Sequence, residues 1–405
     1  MPNLPLEGIR LLDLSQVYAG PLAGRLLADM GAEVIRIESA ARSTRGGPQP
    51  QPGAVYPQTN PGEQPYNRSA YYNELNRNKL AVSLNLATEQ GKEIFRKLVE
   101  ISDVVLENFT PRVMANFGLD YPVLSEINPA IIMVSISAYG QTGPYRDYVN
   151  FGRGIEAMAG LSSITGYPQS QPLGPGTAYA DSTGGLHAAF AAMVALRQRR
   201  KTGRGQHIDL SLRESLAPLL GEQLLDYSMN KRTAEPSGNH DPTAPFQRCF
   251  RCRGDDAWIA IAIGPEEEWA ALSRAIGNPL DKNEDPLKLR RLIEDWTAQH
   301  EPNEAMETLQ KFGVRAGAVL DAGQLNDNPH LKERGFFEMV THPEAGTHEH
   351  PGMPWKLSRT PGSIRLPAPC FAEHNDYVFG ELLGMSAEKI AELEESGVID
   401  RRPRR

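Results

Sequence analysis

The chain has 405 residues, 40% of them hydrophobic and 23% charged, with a formal net charge of −8. This composition is globular, and the length is too great for one ordinary core, so two domains are expected. The acidic balance argues against nucleic acid as a partner, which needs a basic surface, and no apolar run is long enough to span a membrane. The opening residues, Met1 to Glu7, lack the basic and apolar regions of a secretory signal. Three cysteines, an odd number in a long chain, suggest reduced thiols, and a cytoplasmic setting is expected.

In chain order, Ile9 to Leu14 reads as a buried strand, followed by a turn at Gly20-Pro21 and a helix through Leu22, Leu26, Leu27 and Met30 that Gly31 can cap. Val34 to Glu38 is a second strand, so the chain opens strand–helix–strand without a G-x-G-x-x-G fingerprint. Residues 40–70 are rich in Pro, Gly, Gln and Ser and read as a long surface loop. Strands at Leu80–Leu84, Val104–Glu107 and Ile131–Ile136, with a helix over Glu89–Ile101, complete an alternation that predicts an α/β domain with a mostly parallel sheet. A long helix follows Asp181 to about Arg199, capped near Gly203, and His207–Leu212 alternates as a strand. After a Pro- and Asn-rich linker at 230–246, a strand at Trp258–Ile263 and helices near 266–276, 286–298 and 303–312 suggest a smaller domain. A Pro-rich stretch at 351–369 leads to helices near 376–384 and 386–396.

Asp181 heads the long helix, and aspartate is a favoured N-cap because its carboxylate accepts first-turn N–H groups. The same helix end favours an ionised carboxylate, the form that attacks a carbonyl. Capping and nucleophilic roles are therefore compatible. Gly184 and Gly185, directly behind, remove side chains where an acyl group would approach; a cap alone has no use for them, since glycine weakens a helix. Cys249 and Cys252 form a C-x-x-C without a second pair, and His348-Glu349-His350 lies in a Gly/Pro-rich loop without H-E-x-x-H spacing, so no metal site is expected.

The run Leu12 to Pro21, continued by Leu27 to Glu38, together with Ala178 to Ala189, resembles the family III CoA-transferases. Ser137 to Pro144, Thr202 to Ser211, Val314 to Val319, Pro329 to Phe337 and Pro369 to Asn375 extend the resemblance over nearly the whole chain. It implies a large Rossmann-like α/β domain built from both chain ends, with a smaller α+β domain inserted: 1–225 and 336–405 for the large domain, 226–335 for the small one with its linker. It also implies an interlocked homodimer with each site built from both subunits. Asp181 is then the nucleophile that moves CoA from an acyl-CoA to a carboxylic acid through an aspartyl anhydride and an aspartyl-CoA thioester. Coenzyme A enters as substrate, with no metal or redox cofactor. Gln16, Val17, Tyr18 and Ala19 would lie against CoA, and the backbone of this turn and that after Asp181 would hold the oxyanions. Asn108 and Phe109 would line the nucleotide portion, and Lys79 would hold a phosphate, with Arg112, Arg42 and Arg45 as helpers. Ser39 and Asn116 stand where some members carry arginine, and Phe371-Ala372 where many carry Leu-Gly.

Two alternatives stay open. The related α-methylacyl-CoA racemases use the matching aspartate as acid/base with a histidine in a Gly-His-Asp context. The corresponding region here, Asn150 to Glu156, has no histidine, and all nine histidines lie beyond residue 186, leaving Glu156 as a substitute partner. A non-catalytic CoA-binding subunit is the other; it predicts loss of the nucleophile, which is present.

Overall fold

A computed structural model describes residues 4–42, 49–240, 246–281, 283 and 285–404. The chain divides into two compact units, one of residues 1–161, 175–225 and 335–405, the other of 162–174 and 226–334.

The first unit is organised by six parallel strands: β1 (Arg10–Asp13), β2 (Glu33–Glu38), β3 (Lys79–Ser83), β4 (Val104–Glu107), β5 (Ile132–Ser137) and β6 (His207–Ser211). Their order is β3-β2-β1-β4-β5-β6, all pairs parallel. A parallel sheet covered on both faces needs strands apolar on both faces, and β4 and β5 are buried throughout. Alternate residues feed two cores. Leu11, Val34, Val104 and Val134 face one, and Leu12, Ile35, Val105 and Met133 face the other. Strand order reverses between β1 and β4, and in such sheets the crevice at the carboxyl ends beside the reversal is where ligands bind.

The first core is closed by two helices, Ala19–Asp29 and Tyr179–Thr202. The long helix turns its small residues inward: Ala180, Gly184, Gly185, Ala188 and Ala192 are buried, while Leu186, Phe190, Met193 and Val194 are exposed. A Cβ on Gly185 would lie 2.7 Å from the Ala19 carbonyl oxygen and 2.9 Å from Leu22 Cδ2, and one on Gly184 would strike Leu212. Both glycines therefore serve helix packing, which corrects the expectation that they clear space for an acyl group.

The second core takes the helix Glu89–Glu100 and the returning C-terminal segment, through Val378, Phe379, Leu393 and Ile399. That segment also seals the sheet edge. The Ala81 N–H donates to His374 Nδ1 at 3.2 Å and the Ser83 N–H to Asn375 Oδ1 at 3.0 Å, so outer donors of β3 are paired.

The second unit packs an antiparallel sheet against helices Glu266–Ile276, Pro286–Thr297 and Pro302–Lys311. Its strands are β7 (Phe246–Arg251), β8 (Trp258–Ile263) and β9 (Arg315–Ala318). Its core is Phe250, Ile259, Ile261, Leu272, Ile293 and Leu309.

Several expectations change. Within 40–70, residues 43–48 lie outside the described set, and Pro65–Arg68 is helical, with a further helix at Ala70–Asn76. His348 and His350 sit not in a loop but on β11 (Gly346–Pro351), paired antiparallel with β10 (Phe337–His342). The segment near 376–384 winds as a π-helix, Asp376–Leu382.

The close approach at Gly185 is testable. Gly185→Ala should lower stability by about 1–3 kcal/mol in chemical denaturation, because a backbone carbonyl cannot step aside as a flexible side chain can. An unchanged midpoint would mean the two helices do not touch there.

Candidate active site

The crevice at the strand reversal begins with a buried charge cluster. Asp13, at the end of β1, is fully buried. It accepts from Lys79 Nζ at 2.8 Å and from the Ser15 N–H at 2.9 Å, with Arg36 at 3.7 Å. Burial alone would raise its pKa, but Lys79 and Arg36 hold it below the usual carboxylate range. Arg36 also donates to the Ser15 carbonyl at 2.9 Å. The chain leaving β1 is thus fixed before it reaches Gln16.

Asn108, just beyond β4, then clamps the turn. Its Oδ1 accepts from the Gln16 N–H and its Nδ2 donates to the Gln16 carbonyl, both at 2.7 Å. The next residue, Val17, has φ 63°, a left-handed conformation that a β-branched side chain resists. Tyr18 stands at the N-cap position of the first helix, and Ala19 is its buried first residue. Phe109 is held by its N–H, which donates to Glu107 Oε2 at 2.8 Å; burial pushes the Glu107 carboxyl up to about 7.

A pocket of about 210 Å³ opens over this turn, lined by Gln16, Val17, Asn108, Phe109, Arg146 and Asp181 among others. Asp181 is half-buried and is the third residue of the long helix. No described residue donates a hydrogen bond to its carboxylate. Burial and the nearby Glu156 charge push its carboxyl up to about 6. Tyr71 stands close enough for the Asp181 charge, added to burial, to raise its phenol, and its ring centroid lies 6.0 Å from that of Tyr18. Behind the carboxylate is Gly152, where a Cβ would come within 2.5 Å of Asp181 Oδ2. A second cavity, of about 450 Å³ and mostly apolar, lies beside the ends of β1, β2 and β3, lined by Leu14, Ile37, Leu84 and Leu86. Gln16 and Phe109 line both cavities, so the two adjoin.

The structure thus gathers Gln16, Val17, Asn108, Phe109 and Asp181 around one opening, with Tyr18 and Ala19 in the turn below. It corrects Lys79. This side chain is fully buried beneath the first helix, committed to Asp13, Asn76 and the Pro21 carbonyl, and burial pulls its amine down to about 8. A buried, paired ammonium cannot reach a phosphate in either cavity. Arg112 is exposed and follows Pro111 of the first cavity and precedes Val113 of the second. Arg45 lies outside the described residues. Asp181 is not the helix cap either, since the cap position is Ala178. The Ser182 N–H donates within the helix to the Ala178 carbonyl at 3.0 Å, so the backbone after Asp181 is not an oxyanion donor. Tyr71, Arg146 and Gly152 escaped the sequence reading because their relevance is purely spatial. Among the described residues no group of three or more His, Cys, Asp or Glu is placed to hold a metal ion, and no helix is long and apolar enough to cross a membrane.

An acid whose pKa rises on folding leaves stability unaffected where both states are protonated, below about 3.8, and reduces it fully above about 6, where both are ionised. Asp181→Asn should therefore raise the melting temperature at pH 8 and change it little at pH 3.5. An equal shift at both pH values would contradict the raised pKa.

The model of "CoA-transferase family III" matches residues 6–375. The succinyl-CoA–D-citramalate CoA-transferase of Chloroflexus aurantiacus is 32% identical, the alignment covering 98% of this chain and 99% of that protein. The formyl-CoA:oxalate CoA-transferase of Bradyrhizobium sp. is 31% identical over 98% and 97%. The solved structure of a CaiB/BaiF family protein from Brucella suis superposes with a TM-score of 0.84 at 29% identity, covering 94% of this chain and all of that one. The chain belongs to CoA-transferase family III and is an enzyme that moves CoA between an acyl-CoA and a carboxylic acid.

Proposed function

We propose that Asp181 is the covalent nucleophile of this transfer and that the enzyme works on short dicarboxylic substrates. The observation that carries the first part is a carboxylate to which no described residue donates a hydrogen bond, standing in a pocket that adjoins a larger cavity at the strand reversal. Its carboxyl, pushed up to about 6, is still ionised at neutral pH and is more basic than an ordinary aspartate, which favours attack.

CoA would lie along the two cavities, its nucleotide in the apolar one and its thioester beside Asp181. Gln16 and Phe109 would bracket the pantetheine arm where the cavities meet. Arg112, and not the buried Lys79, would hold a phosphate, since several negative charges need a reachable cation.

In the reaction, an Asp181 carboxylate oxygen attacks the thioester carbonyl; the C–S bond breaks, CoA leaves as thiolate and an acyl-aspartyl anhydride remains. The thiolate attacks the aspartyl carbonyl, releasing the donor acid as carboxylate and leaving an aspartyl-CoA thioester. The acceptor carboxylate attacks this thioester and expels CoA thiolate, which then attacks the acceptor acyl carbon, giving the new acyl-CoA and free Asp181. Each intermediate is lost if water reaches it, so a closed site matters. The oxyanions need N–H donors, and the Val17–Ala19 turn supplies them.

The substrate class rests on Arg146. It is a cation on the pocket wall whose recorded ion pair, to neighbouring Asp147 at 3.8 Å, is long and half-exposed. A distal carboxylate on the acyl group or acceptor would satisfy it, and the relatives above are named for succinyl, citramalate and oxalate substrates. Glu156, the substitute partner of the racemase reading, does not line the pocket.

We also propose the interlocked homodimer. The exposed apolar row of the long helix, with Phe190 64% exposed, and a helix at Gly221–Asn230 that buries none of its residues are surfaces a partner copy would cover. The three free cysteines fit a reducing cytoplasm.

Transfer from succinyl-CoA to a panel of acids tests this reading. Asp181→Ala should bind CoA normally and lose turnover by about four orders of magnitude. Arg112→Ala should weaken CoA binding about tenfold, and Arg146→Gln should raise KM for dicarboxylic acceptors about tenfold while sparing monocarboxylic ones. Turnover that survives Asp181→Ala would overturn the nucleophile. Sedimentation should give twice the chain mass, and Phe190→Glu should shift it towards the monomer.

A further inference from the structure

Glu156 lies one turn along the short helix Gly152–Met158, whose first residue abuts the Asp181 carboxylate. It is fully buried and no described cation pairs with it, an unusual place for a glutamate. Its Oε1 accepts from the Tyr179 N–H at 2.7 Å and the Ala180 N–H at 3.4 Å, the first two donors of the long helix. Its Oε2 is buried without a hydrogen-bond partner. The cap position of that helix is Ala178, which has no side chain able to serve, so Glu156 supplies the cap from another element.

We infer that Glu156 is the positioning residue of the nucleophile: it occupies the donors at the head of the long helix that Asp181 would otherwise bind, and so leaves the Asp181 carboxylate uncommitted and facing the pocket. The geometry explains why this is needed. A carboxylate in the first turn is drawn to the first-turn N–H groups, and once bonded there it is a weaker nucleophile. With those groups already taken by a fixed anion, Asp181 faces the pocket instead. The groups around Asp181 are Glu156 from the short helix, Tyr71 from the Ala70–Asn76 helix with Tyr18 beside it, and Arg146 and Tyr148 on the wall of the same pocket. Among these, the charge that raises Asp181 is that of Glu156.

The chemical consequence rests on Asp181 being the nucleophile, but the electrostatic one does not, and the test reads them separately. The full-length protein is labelled with 13C at aspartate carboxyls, and the Asp181 resonance, assigned by its loss in Asp181→Asn, is followed against pH. Glu156→Gln keeps one acceptor oxygen and removes the charge. It should lower the Asp181 midpoint by about one pH unit and slow adduct formation with succinyl-CoA at pH 8 about threefold or more, with KM for succinyl-CoA unchanged. Glu156→Asp restores the charge at shorter reach and should return the midpoint towards that of the parent. An Asp181 midpoint in Glu156→Gln equal to the parent's, or losses in every variant that match only the unfolded fraction, would overturn the inference. A parent enzyme with a normal titration shift in Glu156→Gln but no adduct at Asp181 would instead overturn the nucleophile and leave the role of Glu156 in place.

Discussion

The close crossing of the first helix and the long helix is the constraint on which the site depends. No Cβ fits between Gly185 and the Ala19 carbonyl, so the two helix heads are held within backbone contact. The first helix follows β1 across the Leu14–Tyr18 turn, and the long helix carries Asp181 one turn before Gly185. Packing that serves the core therefore also sets the carboxylate over the Gln16–Ala19 turn. Alanines and glycines on the inward face make the approach possible, and the larger apolar side chains are displaced to the outside.

Around that crossing the protein spends stability to hold a reactive geometry. Asp13, Lys79 and Arg36 are charges taken out of water, an arrangement that seldom improves on apolar packing. Their effect is to pin Ser15, after which Asn108 grips both backbone groups of Gln16. The left-handed Val17 and the raised Asp181 carboxyl are further local penalties. Such penalties persist only where surrounding contacts over-determine the backbone, and here they cluster at the sheet's point of reversal.

Much of the architecture was legible in the sequence because a doubly covered parallel sheet writes itself as unbroken apolar runs, as at Val104–Glu107 and Ile132–Ser137. The helix Glu89–Glu100 announced itself by apolar spacing, and the structure adds a Thr88 cap. Asp181 and the Gln16–Ala19 turn were legible through resemblance to a family. What sequence could not carry was direction. A lysine beside a turn looks exposed, yet Lys79 starts a strand whose flank is roofed by the first helix. Gly184 and Gly185 look like space for a substrate until the neighbouring helices are placed. Aspartate at a helix head looks like its cap, and only the fold reveals that Glu156, 25 residues upstream of Asp181, takes that role.

The most direct test of the central claim is peptide mass spectrometry after mixing the enzyme with succinyl-CoA in D2O, with no acceptor acid. A succinyl or CoA adduct on the peptide holding Asp181, absent in Asp181→Asn, is the predicted result. Deuterium entering the acyl α-carbon with Asp181 unmodified would contradict the account and make this carboxylate an acid/base instead.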